Sequence, residues 1–171
     1  MSIENDIRIQ TYLSFKLSGE VFAINVSKVI NILEMCHITK IPKSPDYMKG
    51  VINLRGTVLP VVDLRIKFGL PEKEATVNTS IIVLSIDLNG EPVLVGILVD
   101  AVKEVLELNT GEIAPSPTIG SKYNSGIIEG MWRMGDNFIM LLNIEKVFSI
   151  DDILDVKEYI NQDTSENSEK K

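Results

Sequence analysis

The sequence predicts a mainly β fold: two similar small barrels of about five short strands each, with short capped helices and a C-terminal helix. Three observations carry that expectation. Apolar residues recur at every second position over much of the chain, the spacing of a strand whose two faces meet different surroundings. Turn residues break those runs at close intervals, which suits closed or nearly closed barrels without exposed edges. The first half of the chain also reads as a copy of the second.

Taken in order, Leu13, Phe15 and Leu17 alternate with Ser14 and Lys16, as in a strand with one wet face. Ser18-Gly19-Glu20 breaks the run and residues 21–26 resume it, which makes a hairpin. Residues 51–54 and 58–62 flank Arg55-Gly56-Thr57 as a second hairpin. Asp63 is placed to cap a short helix over 64–68, Gly69 suits its left-handed end, and Pro71 blocks continuation. Residues 80–88 and 93–99 flank Asn89-Gly90, a pair that tolerates positive φ at both positions. Residues 127–131 and 138–142 flank Gly135-Asp136-Asn137, and Asn143 is expected to open a helix over 144–148 as Asp63 does. A last helix is expected over 151–160, because Ile153, Val156 and Ile160 share one face behind Asp151 and Asp152. Residues 161–171 are almost all polar and are expected to be disordered.

The repeat runs through matched blocks in the same order. Residues 13–20 read against 84–91, 26–29 against 99–102, 32–34 against 105–107, 50–52 against 126–128, and 61–68 against 141–148. The growing offset is what small insertions in surface loops produce. One domain over 11–150 is therefore expected, with a first subdomain at about 11–70 and a second at about 79–150, the N-terminal strand being open to sharing. Barrels of this size are marginal alone, so they should share an apolar seam, with a binding groove along the join.

Composition narrows the function. Hydrophobic residues make up 44% and charged residues 24%, a globular balance. A net charge of −7 argues against holding nucleic acid by bulk charge. One Cys excludes an intramolecular disulfide framework, and one His excludes a two-His zinc site. The N-terminus is acidic where a secretory signal would be basic and then apolar. The longest apolar runs, 81–84 and 93–99, fall far short of the roughly 20 residues of a membrane helix, so a cytoplasmic protein without membrane insertion is expected. Charge is uneven: residues 1–35 carry −1, 36–69 carry +4 and 72–171 carry −10. A local basic surface on an acidic protein suits a protein partner with acidic patches.

No catalytic constellation emerges. Cys36 and His37 are adjacent, so in a strand they point to opposite faces; Cys36 is expected as a small buried hydrophobe and His37 at the surface. No glycine-rich phosphate loop and no calcium-loop spacing occur, and neither a metal nor a cofactor is expected. Val26, Val29 and Ile32 recur at a spacing of three, either packing the barrel or forming a docking patch. Arg55 sits at a hairpin tip, where an interface arginine is a typical anchor. The residues themselves thus describe an interaction module, with a β-barrel binder of nucleic acid or a small ligand as the alternative.

Gly50-Val51-Ile52-Asn53-Leu54-Arg55-Gly56, followed by Leu59-Pro60-Val61-Val62-Asp63-Leu64, resembles the signature of the CheW family of bacterial chemotaxis coupling proteins. Ile41-Pro42, Val95-Gly96-Ile97-Leu98-Val99-Asp100 and Leu142-Asn143-Ile144 match as well, so the resemblance covers about residues 11–150. It implies two SH3-like five-stranded barrels. It also implies a non-catalytic adaptor joining the cytoplasmic tip of methyl-accepting chemoreceptors to the regulatory domain of the CheA histidine kinase, at membrane-associated arrays. By motif, the family's kinase-contact patch falls on Leu13, Val26, Val29 and Ile32, and its receptor contacts on Gly50, Arg55, Gly96, Val99 and Val105. Some members carry an acid where this chain has Asn31.

Overall fold

The computed structural model describes residues 8–88, 90–115 and 126–148. Strands β1 (Ile9–Leu17) and β2 (Glu20–Asn25) turn through Ser18 and Gly19, both at positive φ. A 3-10 turn, Val26–Lys28, leads into β3 (Val29–Glu34). β4 (Met48–Leu54) and β5 (Thr57–Asp63) turn through Arg55 and Gly56, at φ 52° and 84°. α1 (Leu64–Phe68) follows, capped by the Asp63 side chain and ended by Gly69 in the left-handed conformation, as its sequence requires. Then come β6 (Ser80–Leu88), β7 (Glu91–Val99), β8 (Ala101–Asn109), a 3-10 turn at Thr110–Glu112, β9 (Ile128–Met134), β10 (Asn137–Leu142) and α2 (Ile144–Val147). The helix expected over 151–160 and the tail at 161–171 lie outside the described residues. Among those described, no helix is long and apolar enough to cross a membrane.

The ten strands make two five-stranded sheets, ordered β8-β1-β2-β10-β9 and β3-β6-β7-β5-β4. Moving each strand five places along the chain converts one order into the other, so the repeat is a repeat of five strands. The expected boundary between 70 and 79 nevertheless does not separate the sheets. β1 pairs with β8 and β2 with β10, while β3 pairs with β6 and β5 with β7, so each sheet joins strands of both halves. The exchange happens where β3 leaves β2 and crosses to β6, with Ile32 opposite Ile82, and where β8 crosses back to β1, with Val105 opposite Leu13.

Each sheet closes into a barrel through one bridge. Thr39 and Val51 exchange backbone hydrogen bonds of 2.9 and 2.8 Å in the second barrel, and Ala114 and Met131 do the same in the first. A glycine stands at each closure. A Cβ on Gly50 would overlap the Thr39 carbonyl, and one on Gly130 would overlap the Ile113 side chain. Closure therefore corrects the register of the repeat: Gly50 corresponds to Gly130 rather than Gly126, and 32–34 to 107–109 rather than 105–107.

Two internal cores and one seam divide the apolar residues. Ile52, Leu59, Val61, Ile81, Val83 and Leu98 fill the second barrel; Tyr12, Ala23, Leu108, Ile139 and Leu141 fill the first. Between the barrels, Leu13, Phe15 and Phe22 meet Ile82, Leu84 and Ile97. β6 buries one face in a barrel and the other in the seam, which is why it reads as a continuous apolar run rather than an alternation. β1 corrects the expected wet face in the same way. Ser14 is buried at a β-bulge, donating its hydroxyl to the Glu104 carbonyl at 2.8 Å and accepting from the Glu104 amide at 3.1 Å.

Candidate functional site

The nine residues singled out by motif divide into those that build the fold and those that reach its surface. Leu13 and Val99 are buried in the seam, and Val26 and Val29 pack against it. Gly50 belongs to the barrel closure. Gly96 is buried on β7, where a Cβ would press on Ile81 Cγ2 at 2.8 Å. Ile32, Arg55 and Val105 are exposed and available to a partner. The spacing of three at 26, 29 and 32 is not a common face. Val29 and Ile32 lie on a strand, and their odd separation turns Val29 inward and Ile32 outward with Ile30. Cys36, expected to be buried, is exposed, because the chain leaves β3 at Glu34 and returns to the barrel only at Thr39. His37 is exposed, as expected.

Arg55 is set on the tip of the β4–β5 hairpin by the turn itself. Leu54 pairs with Thr57 across a two-residue loop, and Asn53 Oδ1 accepts the Gly56 amide at 2.7 Å. Both loop residues have positive φ, the geometry that favours Asn and Gly. The corresponding position in the β9–β10 hairpin is Gly135, at φ 62°.

At the end of that hairpin away from its tip lies an ion network, of which the sequence announces only the Asp63 helix cap. Asp63, fully buried, accepts from the Arg65 amide at 2.9 Å and from its guanidinium at 2.9 and 3.0 Å. Arg65 also donates to Asp100 at 2.8 Å and to the Lys73 carbonyl at 3.0 Å. Asp100 accepts the Ser18 amide at 2.7 Å. The hydrogen bond to Asp63 is the main reason the guanidinium pKa rises. The network ties α1 to the β7–β8 corner and to the β1–β2 turn. In the second half Asn143 and Glu145 stand in place of Asp63 and Arg65, and Asn143 makes no capping bond, which corrects the expected parallel.

None of the nine lines either of two clefts formed by the described residues. An apolar one of about 200 Å³ opens along the join, with Phe22 and Met140 of one barrel facing Phe68 at the end of α1 and Leu70 just beyond it. The Phe22 and Phe68 rings lie 6.0 Å apart. A polar one of about 410 Å³ sits at the end of the first barrel, by Tyr12, Asn25, Glu129 and Asn143. Tyr12 donates to Glu129 at 3.3 Å. Burial, then the Glu129 charge, pushes the Tyr12 pKa up to about 12. Among the described residues no three His, Cys, Asp or Glu side chains gather as a metal site.

Comparison with known proteins converges on one family. The CheW-like domain family model matches residues 11–152. The chain is 36% identical to the chemotaxis protein CheW of Klebsiella aerogenes over 144 residues, 84% of each chain. It is 34% identical to the chemotaxis protein CheW of Rhizobium meliloti, over 80% of this chain and 85% of that one. Its structure superposes on the crystal structure of the scaffolding protein TtCheW from Thermoanaerobacter tengcongensis with a TM-score of 0.74 at 28% identity, covering 85% of this chain and 91% of that one. With two exchanged five-strand repeats, two closed barrels and a family model spanning both, this chain belongs to the CheW-like domain family.

Proposed function

We propose that the chain is a non-catalytic chemotaxis adaptor that joins the cytoplasmic tip of a chemoreceptor to the regulatory domain of the CheA histidine kinase. The observation that carries this reading is Arg55. An exposed arginine occupies a left-handed turn position where the equivalent hairpin has glycine. A residue kept against its local backbone preference points to a role in contact rather than folding. The apolar cleft along the join offers a place for apolar side chains of a receptor helix, and Arg55 gives the second barrel a polar anchor. The kinase contact is assigned to the outer face of β3, where Ile30 and Ile32 are 56% and 44% exposed. The first barrel offers Val105, 60% exposed, in the position equivalent to Ile30. Two barrel surfaces of one design let a single chain hold two partners.

Co-sedimentation with receptor-bearing membranes tests the assignment. Arg55→Ala is expected to fold normally and to lose receptor co-sedimentation, since truncated interface arginines cost about 2 kcal/mol or more. Undiminished co-sedimentation would remove Arg55 from the receptor site.

A further inference from the structure

The polar cleft at the end of the first barrel has a structural cause. In the second barrel the parallel ladder between β5 and β7 has three rungs and runs on to Asp63 opposite Leu98. Between β10 and β2 it has two, ending at Leu141 opposite Ala23, and β2 stops at Asn25. The opened end is lined by polar groups over an apolar floor that includes Ile113, Leu141 and Leu142.

The duplicated fold supplies its own comparison. In the second barrel Lys49 and Arg65 flank Asp63, with Lys49 Nζ 3.7 Å and Arg65 Nη2 2.9 Å from its carboxylate, so the trio carries one net positive charge. The equivalent positions here are Glu129, Asn143 and Glu145, so the balance of charge is reversed. Lys28 pairs with Glu145 at 2.5 Å. Glu129 is met by the neutral Tyr12 hydroxyl, which leaves one negative charge in the cleft uncompensated. Asn143 Oδ1 is buried and accepts no hydrogen bond among the described residues, although buried polar atoms nearly always find partners.

We propose that this cleft binds a small alkylammonium ion, with Glu129 and Asn143 Oδ1 accepting from the ammonium group and Ile113, Leu141 and Leu142 packing its carbon chain. A monocation supplies the one missing charge and donors for both acceptors. An anion would meet two carboxylates against one lysine, and a bare divalent cation would leave the apolar floor of Ile113, Leu141 and Leu142 without a partner. The volume falls within the ~300–1,000 Å³ of small-molecule sites. Desolvation, then the Glu145 charge, raises the Glu129 carboxyl pKa, and a bound cation opposes both effects. The inference is independent of the adaptor reading, because none of the residues assigned to kinase or receptor lines the cleft.

Titration of the full chain with n-butylammonium, followed by calorimetry and amide NMR, tests it, with n-butanol and butyrate as neutral and anionic controls. The expected result is saturable binding that shifts the amides of Glu129 and Asn143, at least tenfold weaker binding of n-butanol, and none of butyrate. Glu129→Gln should weaken n-butylammonium at least tenfold with an unchanged melting curve, and Lys28→Gln should tighten it by freeing Glu145. Absence of saturable binding, equal affinity for n-butanol, or undiminished affinity in a folded Glu129→Gln variant overturns the proposal. Should Glu129→Gln fail to fold, Lys28→Gln decides, and unchanged affinity there overturns it.

Discussion

Arg55 holds a conformation that most side chains avoid, at a cost of about 1 kcal/mol that Asn or Gly would relieve. Arg55→Asn is therefore expected to raise the melting temperature by about 2–4 °C while abolishing receptor co-sedimentation. A gain in stability with binding intact would mean that the arginine is only a turn residue. Tyr12 gives a second prediction at this scale. Its folded pKa is raised to about 12 from an ordinary value of 10.0, so the folded state holds its proton more tightly than the unfolded one. Its contribution to stability is fully present below pH 10 and is lost as pH rises from there through 12. Tyr12→Phe should flatten the loss of stability over that window in alkaline melting curves, and an unchanged slope would contradict the assignment. At this scale, legibility followed locality. The Asp63 cap was readable because a cap needs only its own helix. The reach of the same carboxylate to Arg65, and through it to Asp100, depends on a corner of the fold 35 residues away and left no local signal. Leu13 and Val99 match the family motif because they build the seam, so the motif alone could not separate them from exposed Ile32 and Val105.

β3 decides what the apolar residues after the first hairpin do. Val29 faces the seam and Ile32 faces outward, so the same substitution should act differently at each. Val29→Asp buries an unpaired charge and should lower stability by several kcal/mol. Ile32→Asp should leave the melting curve nearly unchanged and weaken binding to the kinase regulatory domain. Equal destabilisation by both, or full kinase binding by Ile32→Asp, would contradict the assigned face. The four hairpins were legible because turn chemistry is short-range: Ser18-Gly19 and Arg55-Gly56 specify their loops with adjacent residues. β3 and β8 were not. Both are interrupted by bulges against their neighbours; β3 alternates exposed and half-buried residues and β8 runs three exposed residues together, so neither shows the clean apolar face that announces a strand.

The molecule as a whole is a duplication whose halves cannot be folding units. Each barrel draws strands from both repeats, and the seam is built from both. Fragments 1–75 and 76–171 should each lack a cooperative thermal transition and regain one on mixing; cooperative melting of either alone would show that the exchange of strands is dispensable. The repeat was visible in the sequence, but the exchange was not, because a matched block is the same whether its strands pair within one half or across both. That architecture gives one rigid body two outer surfaces of similar design, the requirement for an adaptor whose partners must be held together rather than in turn. The most direct measurement is sedimentation velocity on a mixture of this chain, the kinase regulatory domain and a soluble receptor tip, each labelled separately. The account predicts one boundary carrying all three labels at saturating concentrations. Separate binary complexes, in which either partner displaces the other from the chain, would contradict it.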